Sequence, residues 1–203
     1  MDTHYGHHSD VYGVESFSRD RVMTCSLDNQ VIFWKVNEDS ELLYPSRLHT
    51  VDCINVINGQ FFMTGSSDNA LDLWIMNKKK PIYSLEGLHS NDAWILSMAN
   101  VRNSDLIATG SHDDQVLVYG VRREQKDFGV LGRFKNLPGC INALKFSHAR
   151  ATNDLYTGLK TPFGSNLMLA VSHSKEERLG RWHVKSKTKT GITILRRKAE
   201  TSL

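Results

Sequence analysis

Three clusters in this 203-residue sequence hold side-chain types able to do chemistry. His4, His7 and His8 crowd together as metal ligands do, but no cysteine or carboxylate stands at zinc spacing beside them. Ser111-His112-Asp113 spells out the residue types of a hydrolytic triad. Consecutive residues of a strand point to opposite faces, so these three cannot converge on one reacting atom. Asp127-Phe128-Gly129 matches the magnesium-holding motif of protein kinases, yet the chain has no Gly-rich loop, no VAIK and no HRD sequence. Paired carboxylates, a P-loop and a dinucleotide fingerprint are also missing. The expectation is a chain with no metal, no cofactor, no small-molecule substrate and no enzymatic activity.

A second chemistry is recognition of a polyanion. Net charge is only +3, but it is unevenly spread. Residues 175–203 hold 9 basic and 3 acidic groups, a net of +6, and residues 1–174 hold 16 and 19, a net of −3. A basic end on a neutral-to-acidic body suits an anionic partner. Lys78-Lys79-Lys80, by contrast, reads as a solvated turn. The three cysteines, Cys25, Cys53 and Cys140, form no CxxC pair and read as small buried apolar residues. No stretch approaches the roughly 18 apolar residues of a membrane span, and Met1-Asp2-Thr3-His4 does not read as a secretory leader.

The elements that must position these groups show themselves as a repeat. Thr24…Asp28…Trp34, Thr64…Asp68…Trp74 and Thr109…Asp113…Tyr119 share one pattern, a threonine four residues before an aspartate and an aromatic six after it. A histidine opens each unit, at His7, His49 and His89. A degenerate fourth copy keeps the offsets as Ser172…Glu176…Trp182. The aspartates recur at intervals of 40 and 45 residues, the period of four-stranded propeller blades. Short β-branched and aromatic runs such as Val31–Val36, Leu71–Ile75 and Val116–Tyr119 supply strands, and Asp28-Asn29, Asp68-Asn69 and Asp113-Asp114 supply tight turns before them. The sequence is therefore read as all-β, with blades over about 7–48, 49–88, 89–136 and 137–197. The last blade is lengthened by a loop insertion at 149–166, and a basic segment follows at 185–203.

The repeat resembles WD40 repeats. That resemblance implies a buried network in each blade, in which Asp accepts from the His ring, His meets the Thr hydroxyl and the hydroxyl reaches the indole N–H. On it, His7/Thr24/Asp28/Trp34 and His49/Thr64/Asp68/Trp74 are complete tetrads. His89/Thr109/Asp113/Tyr119 is a third with Tyr in place of Trp. Ser172, Glu176 and Trp182 are a fourth set without its histidine. About four blades are present, an incomplete ring that is expected to be part of a seven-bladed propeller. A fragment of this kind is expected to be aggregation-prone or oligomeric on its own.

A sharper resemblance lies in Asp105-Leu-Ile-Ala-Thr-Gly-Ser-His112, Gly139-Cys-Ile-Asn-Ala-Leu-Lys-Phe-Ser147 and Glu177-Arg-Leu-Gly-Arg-Trp182, with Val51-Asp-Cys-Ile-Asn55 in support. These strings are similar to the U3 small nucleolar RNA-interacting WD-repeat proteins, over the C-terminal half of their propeller. The resemblance implies a nucleolar subunit of the U3 ribonucleoprotein that binds U3 small nucleolar RNA. Its neighbours would be other U3 ribonucleoprotein and pre-ribosome proteins, in the particle that guides early processing of small-subunit pre-ribosomal RNA. The alternative is a general WD40 protein-interaction scaffold, such as a ubiquitin-ligase substrate receptor. For the RNA contacts the candidates are Arg178, Arg181, Lys185, Lys187, Lys189, Arg196, Arg197 and Lys198. Lys185, Lys187 and Lys189, spaced by two, would align their ammonium groups in an extended segment, and the arginines offer bidentate donors to phosphate.

Overall fold

The computed structural model describes residues 3–46, 50–90, 93–101, 104–148, 167–178 and 180–196. The insertion 149–166 lies outside the described residues. Every sheet is antiparallel. Blade one is β1 (Val11–Ser18), β2 (Arg21–Ser26), β3 (Gln30–Lys35) and β4 (Ser40–Pro45), in that order. Blade two repeats the meander with β5 (Val51–Val56), β6 (Phe61–Ser66), β7 (Ala70–Ile75) and β8 (Tyr83–Glu86). Blade three does so with β9 (Ile95–Asn100), β10 (Leu106–Ser111), β11 (Val116–Arg122) and β12 (Asp127–Phe134).

Blade four departs from this order. It begins with β13 (Cys140–His148) and β14 (Leu167–Ser174), but the strand beside β14 is β17 (Gly191–Arg196). Between them the chain leaves the sheet as a separate two-stranded hairpin, β15 (Glu176–Glu177) and β16 (Gly180–Val184). The expectation that Trp182 lies on the blade's third strand is corrected accordingly. Trp182 sits on β16, and Ile192 takes the place opposite Ser172.

The turn explains the difference. In blades one to three the second and third strands are joined tightly, with a left-handed residue at Asn29 (φ 64°), Asn69 (φ 62°) and Asp114 (φ 62°). Asn and Asp tolerate that conformation, and most side chains do not. At the matching place blade four has Glu176-Glu177, and no such turn forms.

The apolar cores lie between blades, not within them. Alternate residues of a strand serve opposite faces, so one strand can feed two cores. Met23, Cys25, Phe33 and Tyr44 of blade one meet Phe62 and Trp74 of blade two. Met63, Leu71 and Leu73 meet Ile95, Leu117, Tyr119 and Phe128 of blade three. Ala108 and Val116 meet Ile141, Leu169 and Val171 of blade four, with Leu195 of β17 packed alongside. Blades also need close approach. A Cβ on Gly65 would stand 2.7 Å from Ile95 Cγ2 and 2.8 Å from Cys53 Sγ, so only glycine lets blades two and three meet there.

Candidate nucleic-acid interface and the groups that position it

The first expected tetrad is assembled in full. His7 Nδ1 lies 2.9 Å from Asp28 Oδ2, and Nε2 lies 2.7 Å from Thr24 Oγ1. The Trp34 indole N–H donates to the same hydroxyl at 2.8 Å. Burial pushes the Asp28 carboxyl up, but the His8 amide, the His7 ring and the Gln30 amide outweigh it and hold the group below its ordinary value. In blade three His89 Nδ1 lies 3.1 Å from Asp113 Oδ1 and Nε2 lies 2.9 Å from Thr109 Oγ1. The Tyr119 hydroxyl, hydrogen-bonded to Thr109 at 3.3 Å, stands where the indole N–H stands in blade one. Burial pushes that phenol up to about 12.

In blade two Trp74 Nε1 donates to Thr64 Oγ1 at 2.9 Å, and the Ser66 hydroxyl donates to Asp68. His49 lies outside the described residues. Blade four assembles a different pair. His173, buried, sets Nε2 3.1 Å from Thr193 Oγ1 and Nδ1 3.0 Å from the Lys189 carbonyl oxygen. Ser172 faces β17 in the sheet, while Glu176 opens the hairpin.

Some positioning groups escaped the sequence reading. Asn69 is the clearest. Its amide donates to the carbonyls of His89 and Ser90, both at 3.1 Å, and its oxygen accepts the His89 amide at 3.1 Å. The left-handed turn residue of blade two thus holds the loop carrying the next blade's histidine.

The basic residues do not form one row. Arg178, at the hairpin turn, is turned to the ring axis. Its Nε donates to the Leu96 carbonyl at 3.0 Å, Nη1 to Tyr12 at 3.2 Å and Nη2 to Asp52 at 2.9 Å. Lys185 Nζ donates to the His112 carbonyl and to Asp114 Oδ1, both at 2.6 Å. Both had been expected at phosphate, and both have their donors committed within the protein. Nor is the segment 185–190 extended. The Thr188 amide and hydroxyl both donate to the Lys185 carbonyl, at 3.1 and 2.8 Å, which bends it into a turn. Lys187 and Lys189 are exposed on that turn, and Arg196 is exposed at the far end of β17. Five residues of strand rise separate Gly191 from Arg196, about 17 Å, so the turn and Arg196 mark opposite ends of the strand. Arg181 lies on β16, and Arg197 and Lys198 fall outside the described residues.

Below Arg178, Asp52 is buried, with one carboxylate oxygen lacking a hydrogen-bond partner. Burial pushes it up to about 7, against the pull of a Thr50 hydrogen bond and of the Arg178 guanidinium. The other motifs with catalytic overtones are absorbed by the fold. Asp127 is paired with Arg122 at 2.8 Å, Phe128 is core, and Asp113 of the Ser-His-Asp string belongs to a tetrad.

Four blades joined through their cores, with these tetrads, define the class. The chain is a partial WD40 β-propeller domain. It matches the WD domain, G-beta repeat family over residues 1–35 and 79–120. Within that class it is similar to a U3 snoRNP-associated protein-like chain of Arabidopsis thaliana, 26% identical across 96% of this chain and 40% of that protein. It is also similar to U3 small nucleolar RNA-interacting protein 2 of Mus musculus, 30% identical across 78% of this chain and 31% of that protein. Among solved structures, U3-55K superposes with a TM-score of 0.83 at 28% identity, over 97% of this chain and 58% of that one. The RRP9 WD40 repeats superpose with a TM-score of 0.82 at 28% identity, over 97% and 57%. The chain therefore spans well under half the length of these curated relatives and somewhat over half of the solved propellers.

Proposed function

We propose that this chain supplies four blades of a non-catalytic subunit of the U3 small nucleolar ribonucleoprotein. In this reading it holds U3 RNA and neighbouring proteins during processing of small-subunit pre-ribosomal RNA, in the nucleolus. The observation that carries the reading is the likeness to U3-55K, sustained at 28% identity over 97% of the chain. The RNA contacts assigned here are, of the expected cations whose side chains are described, those that are exposed and not bonded within the fold: Lys187 and Lys189 on the turn before β17 and Arg196 at its end. Arg181, Arg197 and Lys198 extend the same basic segment.

Immunoprecipitation of the tagged full-length protein followed by RNA blotting tests the reading. Strong enrichment of U3 RNA is expected. Its absence, with recovery of ubiquitin-ligase adaptors, would establish the protein-interaction scaffold in its place. Phosphate contacts position a protein without reading sequence, and each one neutralised adds about 0.7–0.9 to the slope of log affinity against log salt. Replacing Lys187 and Lys189 together with Ala should therefore flatten that slope by about 1–2 units. Equal slopes for variant and wild type would remove this turn from the RNA interface.

A further inference from the structure

The inner strand of every blade carries a β-bulge at the same place. Pairing skips a residue between Val11 and Gly13, between Val51 and Cys53, and between Ile141 and Ala143, and slips opposite Ser111 between Ile95 and Ser97. The skipped residues are Tyr12, Asp52, Asn142 and Leu96. A bulged residue is left out of the ladder, so its backbone groups need partners elsewhere. One residue meets all four. The Arg178 guanidinium takes the carbonyls of Tyr12, Asp52 and Leu96, and the Arg178 amide donates to Asn142 Oδ1 at 3.0 Å. These partners stand 166, 126, 82 and 36 residues away in the chain. Asn142 also donates to the Glu176 carbonyl at 2.8 Å, which seats the first strand of the hairpin. At the other end of the hairpin Lys185 is fixed to the turn of blade three through His112 and Asp114.

We infer that the β15–β16 hairpin is an axial latch and that Arg178 is the positioning residue that closes it. Arg178 ties blade four to the inner strands of the other three and so holds the turn bearing Lys187 and Lys189 in place. Its planar fork donates from three nitrogens in fixed directions, and so reaches acceptors on three separate strands that the single nitrogen of an ammonium would not span. The positioning role rests on the RNA reading above, whereas the latch rests on the geometry alone.

Two measurements on the full-length protein separate them. The first is hydrogen exchange over residues 176–190 in wild type, Arg178→Lys and Arg178→Ala. The Ala variant is expected to exchange about tenfold faster in this segment, Lys to fall between, and β2, β6 and β10 to keep their protection. Unchanged exchange over 176–190 in the Ala variant overturns the latch. The second is U3 RNA affinity against salt. Arg178→Ala is expected to weaken binding about three- to tenfold with an unaltered salt slope, because no phosphate contact is lost. A slope flattened by about one unit shows Arg178 at phosphate and overturns the positioning role. So does faster exchange with unchanged affinity. Wild type that fails to bind U3 RNA refutes the proposed function and leaves the exchange result to decide the latch.

Discussion

Asp52→Asn should stabilise this protein at neutral and alkaline pH while leaving it little changed in acid. Asp52 is 2% exposed, one of its carboxylate oxygens has no hydrogen-bond partner, and burial carries its pKa from the ordinary 3.8 to about 7. A folded-state value above the unfolded one means that the folded state binds the proton more tightly. The stability it contributes is fully present below about 4 and is lost as pH rises through about 7. Each unit is worth about 1.36 kcal/mol, so about three units set the cost of ionising this group in the fold at up to about 4 kcal/mol by pH 8. Asparagine keeps the shape and an acceptor oxygen and removes the charge. Thermal unfolding of wild type and variant between pH 4.5 and 8.5 reads the effect. The two should melt close together at the acid end and diverge by roughly 10 °C at the alkaline end, given about 2–4 °C per kcal/mol for a domain of this size. Arg178→Met in the wild-type background should steepen the wild-type loss, since the guanidinium is one of the groups that favour the charged form. A gap between wild type and Asp52→Asn that does not change with pH would refute the reasoning, because it would show that Asp52 does not change its charge in this range.

Further expectations concern the blade joints. Asp113→Ala leaves the His89 ring, the Ser90 amide and the Gln115 amide without their acceptor and should cost about 2–4 kcal/mol in chemical denaturation. Burial pushes the Asp113 carboxyl up, but the His89 ring and Ser90 outweigh it and hold the group below its ordinary value, so this contribution is present at neutral pH. It should fade as pH falls below about 4, which a denaturation series in acid will show. Tyr119→Phe removes only the hydroxyl contact to Thr109 and should cost about 1 kcal/mol by the same measurement. Gly65→Val forces a side chain against Ile95 and Cys53 and should cost about 1–3 kcal/mol, while Gly59→Ala, with nothing within 4 Å of its Cβ, should stay within about 0.5 kcal/mol. Equal melting temperatures for these two glycine variants would show that blades two and three do not meet at Gly65.

The blade repeat was legible because its determinants are local. A threonine four before an aspartate and an aromatic six after it mark one strand, one tight turn and the next strand, and the turn needs Asn or Asp at a single left-handed position. In blades one and three, where that spacing was closed by such a turn, the tetrad bonds are in place, even with Tyr119 in the aromatic position, and blade two shows the bond between Trp74 and Thr64. In blade four the offsets of Ser172, Glu176 and Trp182 were kept, but Glu176-Glu177 stand where the other blades have an Asn or Asp suited to the left-handed conformation, and no left-handed residue forms there. The chain runs out as a hairpin, and Gly191–Arg196 becomes the third strand. That substitution was a readable signal, since counting spacing alone could not distinguish a turn from an excursion. The fate of the basic residues was not readable in the same way. Arg178 and Lys185 carry the charge of a phosphate contact, but what they bind was decided by bulge carbonyls and a turn carboxylate up to 166 residues away. Those partners meet the hairpin only because the blades curve about a common axis. Sequence by itself determined the strands and turns of the first three blades and the histidine, threonine and aspartate sets of blades one and three, through local spacing and turn chemistry. Only the tertiary structure decided which cations face the axis and which face solvent, because that depends on where backbone acceptors from distant strands converge.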